Sequence, residues 1–228
     1  MYKSNKSKPS LRWLVDTLSA SVAQKFVMAL TGFFLIIFLA VHAGGNMLLL
    51  KGDEGAAFNA YSELLIQSKL IKIVEFFLLF GFFFHISTGV KLSIENKRAR
   101  PVRYAVNHAS ENSPWYSRNM IHTGGIILIF LIVHLKNFFY EHRILTSEHT
   151  MYESVKMTFE NTGYALFYIA AMALMMFHLL HGFESAFQTL GLRHNKYTLL
   201  IKILGKGYAF VVPLLFASGP IYFLIGAP

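Results

Sequence analysis

The stretch FVMALTGFFLIIFLAVHAGGNMLLL, Phe26 to Leu50, decides the fold. No Asp, Glu, Lys or Arg interrupts it. A hydrocarbon layer about 30 Å thick is crossed by about 20 apolar residues in a helix, so the segment reads as a transmembrane helix. Four more apolar runs long enough for a crossing follow it: Ile71 to Ile94, Ile121 to Tyr140, Gly163 to Leu190 and Ile203 to Ile225. The expectation is an all-α, integral membrane five-helix bundle, forming one transmembrane domain over residues 1–228. Ala56 to Ile66, in the first connector, reads as a short amphipathic piece lying on the membrane surface. In the last run Pro213 and Pro220, with no ionisable residue between them, read as packing with a kink. No low-complexity segment or clear internal repeat is evident.

Composition agrees with lipid as the main solvent. Of 228 residues, 54% are hydrophobic and 14% charged, against roughly 25% charged in ordinary soluble domains. There is no cysteine, which removes disulfides, thiolate metal sites, iron–sulfur clusters and covalently attached haem; any cofactor is held by nitrogen or oxygen. The formal charge of +9 does not imply a nucleic-acid partner, because the basic residues sit in connectors between apolar runs and form no stripe on a soluble surface. The first residues lack the apolar core and small-residue cleavage site of a signal peptide, so the N-terminus is expected to be retained.

The connectors set the orientation. Lys3, Lys6, Lys8, Arg12 and Lys25 precede the first run; Lys91, Lys97, Arg98, Arg100, Arg103 and Arg118 lie between the second and third; Arg193, Lys196, Lys202 and Lys206 join the fourth and fifth. These are most of the 21 Lys and Arg, all on one side of a five-helix bundle. The positive-inside rule then places the N-terminus in the cytoplasm and the C-terminus outside.

Histidine inside the membrane is costly and tends to mark a site. His42, His85 and His134 each lie on a different run, and the fourth run carries His178 and His181. A single such residue is readily a core histidine bonded to a neighbouring helix. The depths argue for more. At 1.5 Å per residue, His42 lies about 24 Å and His134 about 21 Å from the inner edge, while His85 lies about 12 Å and His178 about 9 Å from it. This sorts the four into an outer pair, His42 with His134, and an inner pair, His85 with His178, roughly 12 Å apart, as two stacked bis-histidine haems require. His181, about 4.5 Å nearer the cytoplasm than His178, is the fallback fourth ligand. His108, His142, His149 and His194 fall in connectors and are assigned no role.

A porphyrin also needs small residues one turn either side of its ligand. Gly81 and Gly89 flank His85; Ala43, Gly44 and Gly45 follow His42; Ala171, Ala173 and Gly182 thin the fourth run. Small residues also simply let membrane helices approach, so this feature gains weight only beside the histidines.

The local strings carry a resemblance. KFVMALTG leading to HAGGN around His42, FHISTG around His85, SRNMIHTGG leading to HLKNFF around His134, and FHLLHGFESAFQTLG around His178 are similar to the dihaem cytochrome b membrane anchor of succinate:quinone and quinol:fumarate oxidoreductases. The resemblance spans essentially the whole chain. It implies two haem b groups, with His85 and His178 on the inner and His42 and His134 on the outer one. It departs at the fourth helix, where some relatives have the ligand directly before glycine, which would select His181. Another branch has the ligand three residues earlier, and the interval from His178 to Gly191 looks like that branch.

The resemblance further implies a bacterial inner-membrane subunit that docks a flavoprotein subunit and an iron–sulfur subunit on its cytoplasmic face, with menaquinone as the lipid-soluble partner. Succinate chemistry would lie in those subunits, and this chain would carry electrons and contribute the quinone site. Arg12, Lys25, Lys91 and Arg118 are candidates to meet inner-haem propionates, although each also reads as part of a solvated positive-inside cluster. Glu63 and Glu75 are candidates for proton exchange at the quinone, or else ordinary interfacial charges. Two other classes compete. A dihaem subunit of a hydrogenase or formate dehydrogenase shares the physics but not the local strings. A transporter with histidine relays would usually show broken helices or midplane acids, which this sequence lacks.

Overall fold

A computed structural model of the chain describes residues 21–99, 109–145 and 147–226. The described residues form helices joined by short connectors. The longer ones are α1 (Ser21–Asn46), α2 (Ala56–Gln67), α3 (Lys69–Arg98), α4 (Met120–His134), α5 (Met151–Glu160), α6 (Thr162–Thr189) and α7 (Thr198–Leu224). Five spans are long and apolar enough to cross a membrane: Val22–Leu50, Lys69–Arg98, Met120–Arg143, Thr162–Thr189 and Thr198–Leu224. The chain therefore has the character of a multi-pass membrane protein. Its outward surface agrees. Phe76, Phe77, Phe80, Phe83 and Phe84 on α3 are all exposed, Phe83 to 62%, an apolar face that water would not tolerate and lipid does.

All but the fourth span run a few residues past the apolar run at one or both ends, because capping and end charges extend helices beyond hydrocarbon. Ser68 caps α3, its side chain accepting from the Ile71 amide at 3.4 Å, and Lys97 and Arg98 occupy the last turn, where cations oppose the helix dipole. The surface piece read at Ala56 to Ile66 is the helix α2. Gly55 before it has φ +83°, and a Cβ there would stand 2.1 Å from the Tyr152 ring, so only glycine fits. Helix α5 is a surprise, since it has no apolar run. Its signal is Thr150-x-x-Glu153: the Thr150 side chain accepts from the Glu153 amide while the Glu153 carboxylate accepts from the Thr150 amide at 2.8 Å, a reciprocal cap. The Thr150 groups hold the Glu153 carboxyl below the usual carboxylate range.

Helix α6 organises the bundle. It packs most extensively on α7 and also meets α1, α4 and α5, whereas α3 leans mainly on α1 and scarcely touches α4. Small residues permit this closeness: Ala165, Ala171 and Ala186 of α6 and Ala209 and Gly219 of α7 are buried, as is usual where membrane helices approach through shape rather than hydrophobic drive. Pro213 and Pro220 are buried within α7, in keeping with a packing role. One aromatic cluster, including Phe58, Phe130, Phe159, Tyr168 and Phe223, fills one end of the bundle. A second, smaller core of Ile36, Met175, Leu179 and Ala209 lies beyond it.

Candidate functional site

Four histidines on four spans meet in two pairs. The His42 ring on α1 stands 5.9 Å, centroid to centroid, from His134 at the end of α4, with planes crossed at 78°. The His85 ring on α3 stands 6.3 Å from His178 on α6, crossed at 67°. Along α1, His42 lies about 16 Å from Thr31, which touches His85. Along α4, His134 lies about 15 Å from Gly124, which touches His178. Along these helices the two levels are thus somewhat further apart than the sequence depths indicated.

The pairs sit in different surroundings. Around the first, Phe38 stacks on His42 at 5.2 Å and Phe216 lies 5.4 Å away, while Phe130 and Phe138 pack against His134 at 5.6 and 5.3 Å and Tyr168 at 6.1 Å. Around the second, the neighbours are small. A Cβ on Gly32 would lie 3.3 Å from Cε1 and 3.6 Å from Nδ1 of His85; one on Gly124 would lie 3.5 and 3.8 Å from the same atoms of His178. The Thr31 hydroxyl lies 3.4 Å from His85 Nδ1. Nδ1 of His134 and of His178 are buried without a hydrogen-bond partner. Such an atom costs about 1–3 kcal/mol, and a native fold that keeps two calls for a reason.

Two facing imidazoles are a poor site for a bare metal ion, which asks for three or four protein donors. Among the described residues no cluster of three or more His, Asp or Glu could supply them. A porphyrin brings its own equatorial nitrogens and asks only for axial ligands. With metal–nitrogen bonds of about 2.0 Å and ring centroids about 1.1 Å beyond, two imidazoles sharing one iron stand about 6 Å apart. The observed 5.9 and 6.3 Å fit that spacing at both levels, and the donor set fits haem iron.

The other sequence candidates fall into place around this frame. His181 is half-buried on α6, and the ring that meets His85 is that of His178. His122, also on α4, is exposed. Arg12 lies outside the described residues. Lys25 is exposed on the first turns of α1. Lys91 is 3.9 Å from Glu95, and Arg118 donates to the Ser113 carbonyl. Lys91 is about 9 Å along α3 from His85, and Arg118 about 9 Å along the chain axis from Gly124, so both stand toward the end of the bundle nearer the second pair. Glu63 is exposed on α2. Glu75 is engaged by Arg143, which also donates to the Ile66 carbonyl at 3.0 Å, so it is a paired carboxylate and not a free interfacial one.

The sequence reading passed over three features. Residues Leu135–Tyr140, directly after His134, form a π-helical stretch, a rare geometry that concentrates at functional sites; no residue type announces it. Arg143 was not singled out. The third feature was legible and missed: Thr31-Gly32 precedes His42 by the same interval at which Thr123-Gly124 precedes His134, and Gly89 follows His85 as Gly182 follows His178. This is a short internal repeat where none was expected. Comparison of the chain with protein-family models, curated proteins and solved structures returned no match.

Proposed function

We propose that this chain is the dihaem cytochrome b membrane anchor of a succinate:quinone or quinol:fumarate oxidoreductase, passing electrons between an iron–sulfur subunit and menaquinone. The observation that carries it is the two facing histidine pairs, each drawn from two different spans, at 5.9 and 6.3 Å and at separate levels of the bundle. The local strings around the same histidines support the family. When bound, haem iron would supply a one-electron relay that amino-acid side chains lack.

The chain's own residues do the holding and the tuning. His42 with His134, and His85 with His178, would supply the imidazole nitrogens that hold each non-covalent group. Phe38, Phe130, Phe138 and Phe216 exclude water around the first pair, and a low-dielectric shell of that kind shifts redox potential. Lys25, Lys91 and Arg118 offer cations toward the end nearer the second pair, and Arg12 is the corresponding proposal in the N-terminal segment. Glu63, exposed on α2, is the better candidate for proton exchange with quinone, because Glu75 is already engaged by Arg143. Dicarboxylate chemistry belongs to the flavoprotein partner, docked with the iron–sulfur subunit on the cytoplasmic face of a bacterial inner membrane.

Quantifying haem in the assembled complex by pyridine haemochrome and reduced-minus-oxidised spectra should give two haem b per chain; one or none overturns the reading. A C-terminal tag should be reached from outside and an N-terminal tag from the cytoplasm, because of the basic connectors. Labelling of both ends from one side would exclude the five-span topology.

A further inference from the structure

We propose that Thr31-Gly32 on α1 and Thr123-Gly124 on α4 are a matched pair of positioning cradles, which fix the tautomer and ring plane of His85 and His178. This rests on the reading of those two histidines as axial ligands of one haem. The threonine hydroxyls act through hydrogen bonding, and the glycines through the space they leave.

On α1 the proton inventory decides the roles. Thr31 Oγ1 lies 2.7 Å from the Val27 carbonyl and 3.1 Å from that of Met28, so its only proton is given to its own helix. The 3.4 Å contact with His85 Nδ1 then leaves Oγ1 as acceptor and Nδ1 as donor, beside a backbone acceptor at Met28 that the same ring also meets. That choice puts the imidazole proton on Nδ1 and the free lone pair on Nε2, the nitrogen left to face a metal. A partner of this kind orients a ligating histidine and raises its basicity. Gly32 completes the cradle: with Cε1 of His85 only 3.3 Å from where a Cβ would be, any side chain there would press on the ring.

On α4 the same parts recur. Thr123 is buried, and its Oγ1 lies 3.3 Å from the Asn119 carbonyl and 3.1 Å from that of Met120, the same bonds three and four residues back that Thr31 makes. Gly124 faces Cε1 and Nδ1 of His178 in the same order, each 0.2 Å further away than on the other side. The second, independent observation is that His178 Nδ1 is buried without a partner, facing Gly124, one residue along α4 from a threonine oxygen whose proton is committed elsewhere. A turn of the His178 ring toward Thr123 would give that nitrogen the kind of acceptor that His85 already has. The two histidines thus approach one plane from helices related by the repeat, each tautomer set by the threonine of the other half's partner helix.

The test uses the assembled complex and potentiometry of each haem, with low-spin electron paramagnetic resonance as a report on ligand planes. Thr31→Val and Thr123→Val keep shape and remove the acceptor. Each should make its imidazole a weaker donor, favour ferrous iron, and raise the reduction equilibrium of the inner haem by about tenfold, 59 mV for one electron, with the outer haem unmoved. Thr31→Ser and Thr123→Ser should restore wild-type values. Gly32→Ala should shift the resonance of the inner haem by turning the His85 ring, whereas Gly124→Ala, whose Cβ would meet His178 at ordinary contact distance, should leave it unchanged. Valine variants that retain the inner haem at wild-type potential and resonance overturn the inference, as do equal shifts at both haems. Should a valine variant lose the inner haem, rescue by serine supports the inference, and its failure overturns it. An effect at Thr31 alone overturns the matched pair. A wild-type complex without haem would instead refute the functional reading itself, which separates the two failures.

Discussion

Replacing His42 or His134 with alanine should remove the outer haem and leave the inner one, halving the haem of the complex; replacing His85 or His178 should do the reverse. Imidazole is what retains a non-covalent haem, and each pair faces across one gap of about 6 Å, so the loss of either partner is felt by one site. The four variants fall into two spectral classes. Electron transfer to quinone should fail in the His85 and His178 variants even where the outer haem survives, since on the proposed function the inner haem would stand between it and the soluble subunits. Assembly should suffer more in this class as well. The outer pair is ringed by Phe38, Phe130, Phe138 and Phe216, whose side chains can relax into lost volume. The inner pair rests on Gly32 and Gly124, which have nothing to move, and an unrelaxed cavity costs about 24 cal/mol per Å³. His181→Ala should keep both haems. If it alone empties the inner site, the fourth ligand is reassigned. If His42→Ala and His85→Ala deplete the same haem, the stacked arrangement falls.

What could be read from the sequence was whatever hydrocarbon and helix geometry impose. Lipid forces long uncharged runs, so the five spans were legible, and a rise of 1.5 Å per residue was enough to sort His42 with His134 and His85 with His178 by depth. Depth says little about facing. His178 and His181 differ by less than 5 Å in height but by about 60° around the helix, and only the packing of α6 on α4 turns His178 toward Gly124 and His85. Helix α5 escaped because its stability comes from the Thr150 and Glu153 cap and two buried side chains, Val155 and Phe159, not from an apolar run. The threonine and glycine cradles escaped for a different reason. Each is two common residues, and their meaning lies in an interval shared between distant helices.

Arg143→Ala should lower the stability of the folded bundle by about 2–3 kcal/mol, between the value of an exposed pair and that of a buried one. The intermediate figure follows from burial: the Arg143 side chain is 16% exposed and that of Glu75 31%. Arg143 follows the π-helical stretch of the third span, and its two terminal nitrogens reach different elements, the Glu75 carboxylate on α3 and the Ile66 carbonyl at the end of α2. The second contact satisfies one of the carbonyls that every helix leaves unpaired at its C-terminus and places a cation at the negative end of the helix dipole. Because α3 scarcely packs on α4, this fork is a direct tie between α3 and the third span at the His42 end. Lysine has the charge but a single ammonium in place of the planar fork, so Arg143→Lys should recover only part of the loss. Thermal unfolding in detergent, with haem release as the signal, measures both variants. Combining Arg143→Ala with Glu75→Gln gives a double-mutant cycle, which should show a coupling of about 1 kcal/mol or more. Additive effects would mean that the carboxylate contributes nothing, and that Arg143 holds the bundle through the α2 carbonyl alone.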